Sequence, residues 1–249
     1  IGIEPARVLL EPFGRNTAPA LQLAALAAAR AAADGIDPIL VVTPADHAIA
    51  RGDAFTTAMR TAVRTAASGG IVVLGIRPKR PDTGYGYIRA GAAERAGDES
   101  WPVAAFVEKP DLTTAERYVA DGHYYWNGGI FVLRASVWLD ALRRFRPDIA
   151  AATEITFASA KIDAAFLRFD TGAFAAIPAE SIDYAVMEPA SRDGSGIPIR
   201  MVPLDAGWSD LGAWDAVWQV GNHDGDGNAV RGDALLRNSR NTLVHATSR

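Results

Sequence analysis

Asp46 and Asp210 are two carboxylates whose surroundings invite chemistry. Asp46 follows the apolar run Pro38–Thr43 (PILVVT). At a strand end it can hold a divalent cation or orient a ligand hydroxyl; the plainer alternative is a surface loop or a helix cap. Asp210 lies between Trp208 and Gly212, in a segment too aromatic to be fully exposed, and its plainer alternative is the N-cap of the next helix. Mg2+ takes one or two carboxylates and completes its shell with phosphate oxygens and water, so a pair from different strand ends fits it. Glu108-Lys109 sets an acceptor for sugar hydroxyls beside a donor for a phosphate, or is an ordinary surface pair. Asn127 precedes Gly128-Gly129, which puts an amide beside backbone that a ligand can approach, or marks a bulged strand start. Thr83–Tyr87 (TGYGY) alternates glycine and tyrosine, as a turn with packed aromatics also would. Arg15-Asn16-Thr17 opens a helix with amide, hydroxyl and free N–H groups, a good cap that can also meet a ligand.

Other chemistries are excluded. With no cysteine there is no disulfide framework, thiolate metal site or cysteine nucleophile. The four histidines lack metal-ligand spacing. There is no Walker A motif, no G-x-G-x-x-G and no G-x-S-x-G elbow. A net charge of −4 argues against a nucleic-acid coat or a basic membrane surface. No apolar run approaches the roughly 20 residues of a spanning helix. The chain opens on Ile1 without a signal-peptide pattern, so a cytoplasmic location is expected.

These residues need elements to hold them. A helix capped by Asn16 or Thr17 is predicted to about Asp34, followed by a buried parallel strand at Pro38–Thr43. A helix over Asp53–Ser68 stops at Gly69-Gly70, before a buried strand at Ile71–Ile76. This alternation is that of a doubly wound α/β sheet. After the polar loop Arg77–Gly86, strands are predicted at Val103–Val107, Tyr124–Leu133 and Ile197–Leu204. Helices are predicted from Asp111 or Thr113 to Asp121, and at Ser136–Phe145, Pro147–Lys161, Ser181–Glu188 and Leu211–Val220. Val137, Leu139, Leu142 and Phe145 are expected to face the core. The Gly/Asp-rich His223–Asn228 is a boundary, and Ala234–Leu236 and Thr242–His245 read as short β pieces of a β-helix-like element. Residues 1–222 are thus expected to form the catalytic domain and 223–249 a short β segment. Pro44–His47, Thr83–Tyr87, Glu108–Pro110 and Gly207–Asp210 fall at strand ends or loops, where open α/β sheets bind ligands in a cleft.

Taken in order, EPFGRNTAPA (Glu11–Ala20), VVTPADH (Val41–His47), RPDTGYGYI (Arg80–Ile88), FVEKPD (Phe106–Asp111), YYWNGGIF (Tyr124–Phe131), SIDYAVME (Ser181–Glu188) and PLDAGWSDLGAW (Pro203–Trp214) resemble the motif series of mannose-1-phosphate guanylyltransferases. The likeness runs from Val8 to about Asn241. It implies a Rossmann-like α/β fold of the nucleotide-diphospho-sugar transferase type, a mixed, mainly parallel sheet flanked by helices. It implies transfer of GMP from GTP to mannose 1-phosphate, with Mg2+ as cofactor. Glu11, Asn16 and Thr17 match positions at the guanine base, and Asp46 and Asp210 the pair that holds Mg2+. Gly86, Glu108 and Asn127 match positions around the mannosyl group, with Asp183 on the same side, and Lys109 a lysine near the sugar phosphate. Lys109, Asp46 and Asp210 are the implied catalytic set. Alternatives are another sugar-1-phosphate nucleotidyltransferase, such as a thymidylyltransferase, or a non-catalytic regulatory homologue. The family's Gly-rich phosphate loop has no match in Ile1–Leu10, so little turnover is expected of this chain alone. Expected partners are GTP and mannose 1-phosphate, with no nucleic acid and no membrane. The C-terminal β segment is where a homodimer would form.

Overall fold

In chain order the elements begin with β1 (Val8–Leu10), α1 (Thr17–Ala31), β2 (Ile39–Val42), β3 (Ala48–Ile49), α2 (Gly52–Ala67), β4 (Ile71–Ile76), β5 (Tyr87–Ala90) and β6 (Trp101–Val107). Then come α3 (Leu112–Asp121), β7 (Tyr124–Arg134), α4 (Ala135–Phe145), α5 (Pro147–Ala158), β8 (Lys161–Asp163), β9 (Phe166–Arg168) and α6 (Thr171–Ala175). A π-helical turn (Asp183–Met187), α7 (Glu188–Ala190), β10 (Ile199–Pro203), β11 (Trp208–Ser209), α8 (Trp214–Val220), β12 (Ala229–Arg231) and β13 (Leu243–His245) complete the chain. This is a computed structural model that describes residues 4–94, 97–192 and 194–247. The outer bounds of the two expected segments, at 1 and 249, lie outside the described residues, as do Ile1–Ile3 of the stretch without a phosphate loop. The chain divides into a first unit, Ile1–Thr43 with Ala58–Pro203, and a second, Pro44–Thr57 with Leu204–Arg249.

The first unit is built on a six-stranded mixed sheet in the order β2-β7-β4-β10-β6-β5, with helices packed on it. β2, β4, β10 and β5 run one way, and β7 and β6 the other. Only β4 and β10 are direct parallel neighbours, because β7 is inserted between β2 and β4. β7 is long enough to serve several strands: Phe131–Arg134 pair with β2, and Tyr124–Trp126 pair with β5. All six residues of β4 are buried, which explains its unbroken apolar run. The core joins β4, β7 and β10 to α1, α4 and α5 through Leu21, Leu23, Ile71, Val73, Phe131, Trp138, Leu142, Ile149 and Met201.

Several expectations are corrected. The strand after Pro38 is an antiparallel edge strand rather than a buried parallel one, and Val41 is half exposed. Four apolar residues in a row do not reveal that a strand has a neighbour on one side only. The α4 face that is fully buried comprises Ala135, Trp138, Ala141 and Leu142, while Val137, Leu139 and Phe145 pack only partly. The helix after Pro147 ends at Ala158, since Lys161–Asp163 turns back as a hairpin with β9. The helix before Val220 starts at Trp214. Ala234–Leu236 forms no strand, and Leu235 projects fully into solvent. Among the described residues no helix is long and apolar enough to cross a membrane.

In the second unit β3 and β11 form a two-stranded antiparallel ladder, Trp208 opposite Ile49 and Ser209 opposite Ala48. β12 and β13 pair in parallel.

Candidate active site

In the first unit, β6 delivers Glu108 and Lys109 directly from its C-terminal end. Lys109 adopts a left-handed backbone (φ 47°). Its Nζ lies 3.0 Å from Glu108 Oε1. The Glu108 side chain is 6% exposed and the lysine's 55%, so a buried carboxylate sits beneath an accessible ammonium. Glu108 Oε2 is buried with no hydrogen-bond partner. Such an acceptor costs roughly 1–3 kcal/mol unless something donates to it, and a ligand hydroxyl is one such donor.

Gly86 and Asn127 close the same place. The Asn127 N–H donates to the Gly86 carbonyl at 2.8 Å. A Cβ on Gly86 would collide with Glu108 Oε2 and stand 3.3 Å from Asn127 Cβ, so this glycine is required by close approach. Asn127 Nδ2 donates to Asp183 Oδ1 at 2.8 Å, and Asn127 Oδ1 accepts from Gly129 N at 3.0 Å. The amide orientation is therefore fixed at both ends. Burial, and then the charge of Glu108, push the Asp183 carboxyl up to about 6, against the pull of Asn127 and Lys109. The hydrogen bond from Lys109 to Glu108 raises the lysine above its ordinary value and keeps it cationic. Asp183 opens the π-helical turn, a distortion frequent at functional sites. Two carboxylates, an oriented amide and an ammonium can bind a polyhydroxylated phosphate.

The start of α1 is tied to this neighbourhood. Thr17 Oγ1 accepts from Ile182 N at 2.9 Å, and the Ala18 N–H donates to the Glu180 carbonyl at 3.0 Å. Asn16 is the N-cap, with φ 69° and its side-chain oxygen 2.8 Å from Thr17 N. Asn16, Thr17 and Glu11 are exposed. The first unit thus brings together Gly86, Glu108, Lys109, Asn127 and Asp183, with Thr17 one residue-contact away through Ile182.

The second unit holds the other two expected residues. Asp46 precedes β3, and Asp210 follows β11. One residue beyond the observed register, Asp210 stands opposite His47. Asp210 Oδ1 accepts from Gly212 N at 3.2 Å. Asp46 is exposed and Asp210 half-buried. Both carboxylates act on His47: burial pushes its imidazole down, while the charges of Asp46 and Asp210 pull it up. Trp208 Nε1 donates to His47 Nδ1 at 3.0 Å. Among the described residues no group of three or more His, Asp or Glu could hold a metal by itself.

A family model for nucleotidyl transferases matches residues 4–227. The chain belongs to the nucleotidyl transferase family. Mannose-1-phosphate guanylyltransferase of Escherichia coli strain K12 is 47% identical over 97% of this chain and 49% of that protein. A crystal structure described as mannose-1-phosphate geranyltransferase from Thermus thermophilus matches with 37% identity and a TM-score of 0.75, over 91% of this chain and 61% of that one. One described as mannose-6-phosphate isomerase from Helicobacter pylori matches with 32% identity and a TM-score of 0.69, over 81% and 74%. The chain spans about half the length of the curated relatives it matches. In this nucleotidyl transferase, sequence reasoning missed the link of Thr17 to Ile182 and the pairing of Trp208 with His47. The first joins positions far apart in the chain and has no local signal. The second had one: both residues sit in polar strand-end segments already singled out, VVTPADH and GWSDLG.

Proposed function

We propose that this chain serves transfer of GMP from GTP to mannose 1-phosphate, giving GDP-mannose and pyrophosphate. The observation that carries this reading is the unpartnered Glu108 Oε2, set beside Asp183 and Asn127 and under Lys109. That set suits a sugar whose hydroxyls meet the carboxylates and amide while its phosphate meets the ammonium. The names of the relatives support the choice of mannose and guanosine.

In the reaction a phosphate oxygen of mannose 1-phosphate attacks the α-phosphorus of GTP, a new P–O bond forms, and the bond to pyrophosphate breaks. The nucleophile is already an anion, so no general base is needed. The protein's work is positioning and charge neutralisation. Glu108, Asn127 and Asp183 orient the mannosyl group over Gly86, and Lys109 neutralises the sugar phosphate. Glu11, Asn16 and Thr17 meet the guanine. Asp46 and Asp210 fit Mg2+, because two carboxylates leave its remaining positions to phosphate oxygens and water. Bound there, the ion would neutralise charge at the α-phosphate. Residues 1–222 carry the catalytic domain, with a cytoplasmic location. The parallel pairing of β12 and β13 supports a β-helix-like 223–249, through which a homodimer would form.

Competition binding tests the reading. GDP-mannose should bind more tightly than UDP-glucose or dTDP-glucose, and Glu108→Gln should weaken it. Equal affinity for the three would overturn the choice of base and sugar, and absence of binding would overturn the activity. Isomerisation of mannose 6-phosphate with no nucleotide-sugar binding would replace the reading by another reaction class. Asp210→Asn should remove Mg2+-dependent enhancement of GTP binding while leaving the circular dichroism spectrum unchanged. Undiminished Mg2+ dependence in this variant would overturn the metal assignment.

A further inference from the structure

The β3–β11 ladder joins the two segments that carry Asp46 and Asp210. Beyond its paired residues, the Ala50 N–H donates to the Gly207 carbonyl at 3.3 Å and the Arg51 N–H to the Ala206 carbonyl at 2.9 Å. Arg51 also pairs with Asp205. Gly207 has φ 64°, and a Cβ there would lie 2.7 Å from Ala50 Cβ. These contacts tighten the end of the ladder away from the carboxylates. At the carboxylate end a side-chain contact crosses between the two segments: Trp208 Nε1 to His47 Nδ1 at 3.0 Å, with the rings edge to face, 5.2 Å apart at 86°. It is the diagonal neighbour pair of an antiparallel ladder, since Trp208 is directly opposite Ile49.

An indole nitrogen donates only. His47 Nδ1 must therefore be the acceptor, and the ring hydrogen of the neutral imidazole sits on Nε2. With one lone pair engaged and the other nitrogen protonated, His47 as placed offers a cation no ligand atom. We propose that His47 is a positioning residue: clamped by Trp208, it fixes the segment bearing Asp46 against the segment bearing Asp210, so that the carboxylate pair is preset for a divalent cation. This rests on the assignment of Asp46 and Asp210 as the metal pair. Groups that hydrogen-bond a metal ligand directly are worth about 10- to 100-fold in metal affinity, and a clamp one step further out should sit at the lower end of that range.

The test is titration of the unmodified chain and its variants with Mn2+, following the free ion by electron paramagnetic resonance. Asp46→Asn and Asp210→Asn should weaken Mn2+ binding severely. Trp208→Phe, which keeps a ring but loses the donor, and His47→Leu should each weaken it about tenfold. His47→Asn, whose side-chain oxygen can take the place of Nδ1, should restore most of the affinity. If the two aspartate variants bind Mn2+ normally, or the unmodified chain binds none, the metal assignment fails and the proposal with it. If the aspartate variants fail but Trp208→Phe and His47→Leu bind normally, the assignment stands and the positioning role is overturned. Abolition by every His47 variant with no effect of Trp208→Phe would make His47 a ligand instead. Nitrogen NMR of the imidazole gives a readout independent of binding: the Nε2–H tautomer in the unmodified chain, mixed in Trp208→Phe. An Nδ1–H tautomer in the unmodified chain would overturn the clamp.

Discussion

Asp183 is harder to ionise in the folded chain than in the unfolded one. Between the ordinary aspartate value of 3.8 and about 6, the folded chain holds a proton that the unfolded chain has released. Stability therefore falls as pH rises through that window, and stays at the lower level above it. A shift of this size corresponds to roughly 3 kcal/mol. Asp183→Asn keeps an acceptor for Asn127, and should remove the slope and raise stability near neutral pH by about 1–3 kcal/mol. Urea unfolding at about pH 4 and about pH 7.5 checks this; a slope as steep in the variant as in the parent would contradict it. Gly86→Ala should push the new methyl into Glu108 Oε2 and weaken mannose 1-phosphate binding about tenfold, with a stability loss of about 1–3 kcal/mol. Calorimetric titration measures the first and urea unfolding the second. Glu108 and Asn127 could be singled out in the sequence only through the ordered motif series FVEKPD and YYWNGGIF, since each alone has an ordinary structural alternative; the structure sets the two side by side at Gly86. What could not be read was the state they are held in. The idle oxygen of Glu108 and the raised carboxyl of Asp183 arise from burial and from neighbours tens of residues away.

At the scale of elements, β4 and β7 were readable, β2 was readable as a strand but not as an antiparallel edge, and β8 and β9 were not. A strand covered on both sides writes its burial into six consecutive apolar residues, whereas Lys161–Asp163 is wholly exposed and shows no pattern. The helix α4 shows the same limit in another form. Its position was evident, Leu142 is buried and Val137, Leu139 and Phe145 pack against the core, but Trp138, the largest fully buried side chain of the helix, had no signal that singled it out. Trp138 is 1% exposed within the core shared by α1, α4 and α5. Trp138→Ala should cost about 3–5 kcal/mol, measured by chemical denaturation, while Val137→Ala on the same helix should cost distinctly less. Equal losses at the two positions would contradict Trp138 as the centre of that packing. The turn Ser181–Glu188 was expected as a capped α-helix. Ser181 Oγ does accept from Tyr184 N at 3.3 Å, yet the turn winds as a π-helix. Sequence periodicity over so few residues cannot distinguish the two.

For the molecule as a whole, a net charge of −4 sets a condition on any binding of nucleotide and sugar phosphate. The overall field repels such ligands, so on the proposed reading attraction comes from placed groups such as Lys109 and from a cation held by Asp46 and Asp210. Raising salt from about 0.05 to about 0.2 M screens the repulsive field and the local attraction together. The association rate for GDP-mannose should therefore change by less than about threefold, measured by stopped-flow fluorescence. A steep fall would reveal a basic steering surface that the charge balance does not provide.

β7 has a consequence for how the protein is made. Its residues pair with β2, β4 and β5, and β4 pairs in turn with β10, more than a hundred residues further along the chain. Nearly every contact that fixes Asn127 thus closes a long loop, which slows folding and leaves little of the sheet formable from local sequence. During synthesis the amide reaches its final setting only after Asp183 and β10 have emerged. The cluster of Gly86, Glu108, Asn127 and Asp183 is therefore among the later features to form, and, on the proposed reading, recovery of mannose 1-phosphate binding after dilution from urea would trail recovery of helical signal.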